Sequence, residues 1–567
     1  MKIKFNSIVI GIICLFTLGC VDVLDKENLT AIKASDVWND FPLAEAYVNG
    51  FYADLMPGMP TGSGNYTDEA SGLNYAGLFA NPYGYGTAGI NDYDDWQYGT
   101  IRSINLMLQQ IESGSLSEAE KNQLNGQGYF WRAWAYFRMV KAYGGVPIIT
   151  DVQGYENAEA IQLKRSPTSE CIELIVKDLD TAFDMLPESW ANANAGRIDK
   201  SVAISFKARV LLFYASPQFN PENINSRWAN AYRAAKLAKE FCEGQGKKLY
   251  ADFGGIWNEE LNEEVIMVNR FNFPGSTYYI GCPRPLLYSF NCTGHDQPTL
   301  ELVDKFPLVD GSPWDNSIMS HDTLHRHRSK RFYATIGYNG AAPYLKDMFE
   351  QNSNLWTYKT ISKGAMDGPL PTSTSFYRVK AMDRDVNLDG VYSAGMDWPE
   401  IRFAEVLMTY GETANELDNT EEALQVLYKI RERAGILPGN NNRFGITANT
   451  KDEIRLAFEN ENLIEFALEN KRFDQLRRLR KWDVVLNGLQ KHGLKISQKE
   501  GAAGPSGLVD IDDYINNFNV EKVEVGTQAF NVRPEYYFFA IPKRHLDQNP
   551  NLEQTKGWPA GTFDPLL

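Results

Sequence analysis

The chain has 567 residues, enough for several domains or for one large domain assembled from smaller units. Lys and Arg number 56 against 72 Asp and Glu, a net charge of −16, and no long basic run interrupts that balance. That balance disfavours a protein that holds nucleic acid by neutralising phosphates. Aromatic residues make up 13 %, with 29 Tyr, 30 Phe and 12 Trp. Many fall in Gly-, Asn- and Pro-rich stretches rather than at helical spacing, so they call for a role besides helix packing.

The chain starts with Lys2 and Lys4, then the apolar "IVIGIICLF", then Gly19-Cys20. The run is shorter than the ~20 apolar residues a bilayer-spanning helix needs. It has the three parts of an export signal over residues 1–19. A cysteine at the cleavage point, in "TLGC", reads as a bacterial lipoprotein signal, with Thr17 where Leu is usual. Cys20 would carry the lipid and become the first mature residue. Several acyl chains at ~0.8 kcal/mol per CH2 would hold the protein on a membrane without a spanning helix. An ordinary secretory signal with an incidental cysteine is the plainer alternative. Losing Met1 to Gly19 removes two lysines and takes the charge from −16 to −18.

Residues 20–567 read as one domain in three parts. In the first, 36–270, the stretch from Asp36 to Leu55 spaces Ala44, Val48, Phe51 and Leu55 by four, three and four, which predicts a helix. Ile101 to Tyr143 predicts an antiparallel helix pair. Ser117 and Glu120 have capping-box spacing for the second member, and Gly144-Gly145 stops it. Helices follow at Ser169–Leu186, Val202–Ala215 and Arg227–Cys242. An insertion at 57–95 is rich in Gly and Tyr, and the second part, 271–399, has few helical runs. Loops this long are usually functional or disordered, and their aromatics speak against disorder. The third part, 400–567, returns to helices, with Ala414, Leu417, Ala423, Leu427 and Ile430 as packing positions. Serial helix pairs of ~34 residues are the tetratricopeptide pattern, so the fold class is mainly α: a helical repeat scaffold with long irregular loops.

Several stretches together resemble the SusD/RagB family. After the cysteine comes the acidic "CVDVLDKE". "YFWRAWAYFRMVKAYGGVPIIT", "KARVLLFYASPQFN", "PTLELVDKF" and "RFYATIGYNG" follow in order, then "IRFAEVLMTYGETANEL", "LIEFALENKRFDQLRR" and the terminal "AIPKRHLDQNPNLEQTKGW". The resemblance implies about eight helices in four repeat units as a scaffold, with the long irregular loops forming the ligand face. It also implies a surface lipoprotein of the outer membrane that captures oligosaccharides or polysaccharides. Its partner would be a SusC-like TonB-dependent transporter, which it caps as a lid and to which it hands the glycan without bond chemistry.

Aromatic rings suit that task, because the C–H face of a pyranose lies on a Trp or Tyr ring while Asp, Asn and Arg bond the hydroxyls. Trp314 in "DGSPWDN" is the first candidate, followed by Tyr278, Tyr279 and Tyr288. The N-terminal loop adds Asn65, Asp68, Tyr83 and Tyr85. For each of them the alternative is a ring or polar group that packs a loop onto the scaffold. Trp96, Trp131 and Trp134 sit at or in helices and read as packing.

Asp385, Asn387, Asp389 and Gly390 reproduce the first half of an EF-hand loop, but Met396 stands where the bidentate Glu belongs. A solvated turn is the reading and a partial calcium site the alternative; no cofactor is otherwise required. His321, His325 and His327 in "SHDTLHRHR" read as an exposed basic loop rather than a metal cluster. Cys282 and Cys292 bracket "CPRPLLYSFNC" and either pair or stay as thiols. A peptide-binding lid, a lipid-anchored glycoside hydrolase and a purely structural adaptor are the competing readings. Motifs of the G-x-S-x-G, H-E-x-x-H and phosphate-loop kinds do not occur.

Overall fold

Asp40 sets the start of the scaffold: its carboxylate accepts the Leu43 N–H at 3.0 Å and caps α1, Phe41–Leu55. The helix therefore begins at Phe41 rather than Asp36, and Ala34–Val37 forms a turn of its own. Ala44, Val48, Phe51 and Leu55 are all buried, as their spacing requires. The computed structural model describes residues 34–72, 81–154, 162–278, 295–343, 353–362, 364–368, 371–382, 394–526 and 529–567.

Helices α2, Tyr98–Ser113, and α3, Glu118–Tyr143, form the expected pair. Ser117 and Glu120 close a reciprocal capping box at the start of α3. Gly144 ends it at φ 78°, where a Cβ would also strike Pro565. The pattern continues through α4, Thr168–Met185, α5, Lys200–Ala215, and α6, Asn225–Gly244. Each of these packs on the helix before it. After the loop-rich part come α7, Phe403–Glu416, α8, Thr420–Arg433, and α9, Lys451–Glu465. Helix α7 packs on α6 and so joins the two helical blocks into one tetratricopeptide-like scaffold. The short α10, Arg472–Arg478, and α11, Lys543–Gln548, follow. Among the described residues no helix is long and apolar enough to cross a membrane.

The loop-rich part is held by short strands. β1, Val265–Asn269, pairs antiparallel with a strand at Trp398–Arg402. A four-stranded sheet joins Lys359–Thr360, Gly364–Ala365, His492–Gln498 and Phe518–Glu524. A second apolar cluster, with Phe306, Phe332, Trp356, Phe376 and Phe518, lies under this region.

An ionic layer ties that region to the repeats. Glu461, Glu465 and Glu469 recur every four residues on and just beyond α9, so their carboxylates share one side. Arg331 reaches Glu465 at 2.9 Å, Arg402 reaches Glu469 at 2.8 Å and Arg431 reaches Glu461 at 2.8 Å. Burial works against the Glu465 charge, but Arg433, Arg402 and Arg331 outweigh it and hold the carboxyl far below its usual range.

Candidate functional site

Among the described residues, the loop candidates Trp314, Tyr83 and Asp68 are buried. Trp314 is 8 % exposed, belongs to the second apolar cluster and lies under the Arg328 guanidinium, 4.1 Å from its ring centre. That face is not open to a sugar, which corrects the sequence expectation: polar neighbours put the segment in a turn, but Arg328 folds over the ring. Tyr83 is also buried, against Tyr536 at 5.1 Å and Phe539 at 4.6 Å. Asp68 is buried and bonded twice by Arg472. The Asn65 carbonyl accepts Lys491 Nζ at 3.1 Å. Tyr85 is half-buried against Phe530, 5.8 Å away, and Tyr278 half-buried against Phe271, 4.7 Å away. Trp314, Tyr83 and Tyr278 thus serve three separate apolar clusters instead of converging on one surface. Cys20, Tyr279, Tyr288, Cys282, Cys292, Asp385, Asn387 and Asp389 lie outside the described residues.

His325 departs from the exposed-loop reading as well. It is buried, stacks on Tyr338 at 5.5 Å and meets Asp512 at 3.0 Å. Burial lowers its pKa, against the pull of Asp512.

An open cleft of about 420 Å³ combines aromatic floor and polar rim. It forms where the C-terminal segment returns to the first helix pair: the Phe539 N–H donates to the Ala142 carbonyl at 2.7 Å, at the end of α3. Trp96 stands just before α2. The Tyr143 hydroxyl accepts the Asp95 N–H beside it at 2.9 Å, and Arg138 pairs with Asp95. His545 on α11 stacks on Trp96 with centroids 4.9 Å apart and planes at 23°. Asp94 holds His545 in turn, 3.1 Å from Nε2.

Tyr98, Pro147, Ile149 and Leu552 complete the apolar floor. The Tyr98 hydroxyl donates to the Pro147 carbonyl at 2.5 Å, which pins the ring. On the rim, Arg102 donates to the Gln153 carbonyl at 3.1 Å and Asn549 to the Leu163 carbonyl at 2.8 Å. Arg102, Asp151 and Gln548 are exposed. Rings below and amide, carboxylate and guanidinium groups above can take an apolar face and its hydroxyls together. Sequence reasoning missed Trp96 as a cleft residue, since its partner on α11 is remote in the chain. The one available signal was an aromatic pair, Trp96 and Tyr98, placed where a helix begins.

Scaffold and cleft define a helical-repeat protein that offers a recess between its first helix pair and its returning C-terminus. The comparisons sharpen that class. A sequence model of the SusD family matches residues 263–558, and a second, described as starch-binding associating with outer membrane, matches 81–212. The chain belongs to the SusD family. It is 25 % identical to SusD-like protein P2 of Formosa agariphila over 84 % of this chain and 92 % of that one. A SusD-like protein of Bacteroides ovatus is 24 % identical, over 88 % and 86 %. Among solved structures, a SusD-like protein from Bacteroides fragilis superposes with TM-score 0.76 at 23 % identity, covering 94 % of this chain and all of that one. A laminarin-binding SusD-like protein superposes with TM-score 0.62 at 16 % identity, over 92 % of this chain and all of that one.

Proposed function

We propose that this chain is a surface lipoprotein of the outer membrane that captures oligosaccharides or polysaccharides and hands them to a TonB-dependent transporter without cleaving them. The observation that carries the reading is the family match over 263–558, joined to an open cleft whose floor is aromatic and whose rim is polar. Cys20 is the anchor, and the apolar run before it is the export signal. A pyranose ring lies over Tyr98 and the edge of Trp96, where its C–H groups meet aromatic surface. Asp151, Gln548 and Arg102 bond its hydroxyls. The laminarin-binding relative supports a glycan rather than a peptide as ligand. Asp385, Asn387 and Asp389 form a solvated turn in this reading, with calcium ligation the alternative.

Affinity electrophoresis of the chain from Val21, in gels cast with plant, host and microbial polysaccharides, tests the reading. At least one polysaccharide retards the protein, and Trp96→Ala reduces the retardation. Mobility unchanged by every polysaccharide, with retention instead on immobilised peptides, supports the peptide-binding lid and contradicts glycan capture.

A further inference from the structure

A second recess, of about 360 Å³, lies among α1, α3, α5, α7 and the turn from α9 to α10. Its volume is within the ~300–1,000 Å³ of small-molecule sites. We infer that it is a ligand pocket for one neutral sugar-sized polyol, distinct from the open cleft, with Glu69 as the accepting carboxyl and Trp134 in the apolar wall.

The charge pattern of the walls selects the ligand. Arg209 bonds Glu400 at 2.9 Å and Glu405 at 2.5 Å, Lys471 bonds Glu400 at 2.8 Å, and Lys141 bonds Asp474 at 2.5 Å. Arg478 pairs with Glu412 at 2.5 Å. These cations are already matched by acids, so an anionic ligand would have to break a pair. An ammonium would gain Asp54 or Glu69 as a partner but would have to sit among Arg209, Lys141 and Lys471. A neutral ligand meets neither cost.

Two acids on the lining make no ion pair among the described residues: Asp54, exposed, and Glu69, 2 % exposed. Glu69 accepts the Leu468 N–H at 2.9 Å and the Thr67 hydroxyl at 3.2 Å, which leaves lone pairs on both oxygens. Burial pushes its carboxyl up to about 7. A buried acid without a cation, on the lining of a cavity, is the kind of group that binding sites keep and cores avoid. Trp134 packs on Phe206 at 4.5 Å, and its indole N–H has no partner among the described residues. The pocket therefore offers a carboxyl for hydroxyl donors and an aromatic wall for a C–H face.

The inference stands on this pocket and survives a failure of the cleft. Saturation-transfer NMR and calorimetry on the chain from Val21, with D-glucose, D-galactose, D-mannose and D-xylose as probes, test it. At least one monosaccharide binds saturably. Glu69→Gln weakens it about tenfold, the loss of one strong hydrogen bond. Asp54→Asn, an exposed change that cannot unfold the protein, weakens it by a smaller factor. Circular dichroism of each variant separates lost binding from lost fold. No saturable binding by any of the four probes overturns the inference. So does binding that Trp96→Ala abolishes while Glu69→Gln and Asp54→Asn leave it intact, because that places the sugar in the cleft.

Discussion

Asp68 and Arg472, 404 residues apart, meet in a two-bonded ion pair, Nε to Oδ1 at 2.9 Å and Nη2 to Oδ2 at 2.8 Å. The pair ties the Gly-rich N-terminal loop to α10. Burial works against the Asp68 charge, yet Arg472 prevails and holds the carboxyl below its usual range. Removing Arg472 strands a buried carboxylate, which costs about 3 kcal/mol or more. Arg472→Ala should lower the unfolding free energy by that amount at pH 7, read as a lower urea midpoint at unchanged slope. A carboxyl depressed in the folded state stabilises above its unfolded pKa and loses that contribution as pH falls through its folded one. The gap between wild type and variant should therefore close below about pH 4, where unfolded Asp is protonated.

Its neighbour Glu69 runs the other way. Burial, opposed by the Leu468 N–H and Arg472 but reinforced by Asp68 and Asp296, raises this carboxyl from 4.5 to about 7. The folded state then holds a proton that the unfolded state has lost, so this group's contribution to stability falls as pH rises from about 4.5 to 7. Glu69→Gln should flatten that part of the profile and be relatively more stable at pH 8 than at pH 5. The Thr67 hydroxyl can turn to accept from the new amide. Thermal melts of both proteins across pH 4 to 8 check the slope, and parallel curves would contradict it.

Trp314 and Trp96 should separate stability from binding. Trp314→Ala empties a buried site and uncovers Arg328, a change that costs ~3–5 kcal/mol. At a temperature where the variant is folded, its polysaccharide retention should match the wild type. Trp96→Ala removes a half-buried ring, with a smaller effect on melting and a large one on retention. Urea titration and affinity electrophoresis on the same samples read both effects.

How much of this was legible in the sequence depended on whether the cause was local. Ser117, Glu120 and Gly144 bound α3 as read, because a cap is decided within one turn of chain. Ala423, Leu427 and Ile430 are buried as their spacing requires. Trp314 misled, because exposure is a tertiary property and the covering Arg328 sits on a different segment. His325 misled for the same reason, its partners Tyr338 and Asp512 being remote. The Trp96 and Tyr98 pair was the one local sign of the cleft; its Asp94–His545 contact joins residues 451 apart, and no spacing rule reaches that far.

The anchor has its own test. Cys20→Ala in the full-length chain should move the protein from the membrane fraction to the soluble one, with binding of the released chain unchanged. Membrane retention of the variant with residues 1–19 shown by mass spectrometry to be removed would assign the anchor elsewhere.

The central claim is capture without cleavage. Its most direct test is calorimetric titration of the chain from Val21 with the polysaccharide that binds best, followed by a reducing-end assay on the same mixture over hours. Capture gives saturable heat that Trp96→Ala diminishes, and a reducing-end count that stays at its starting value. Reducing ends that accumulate with time in proportion to protein would contradict it and make the chain a hydrolase.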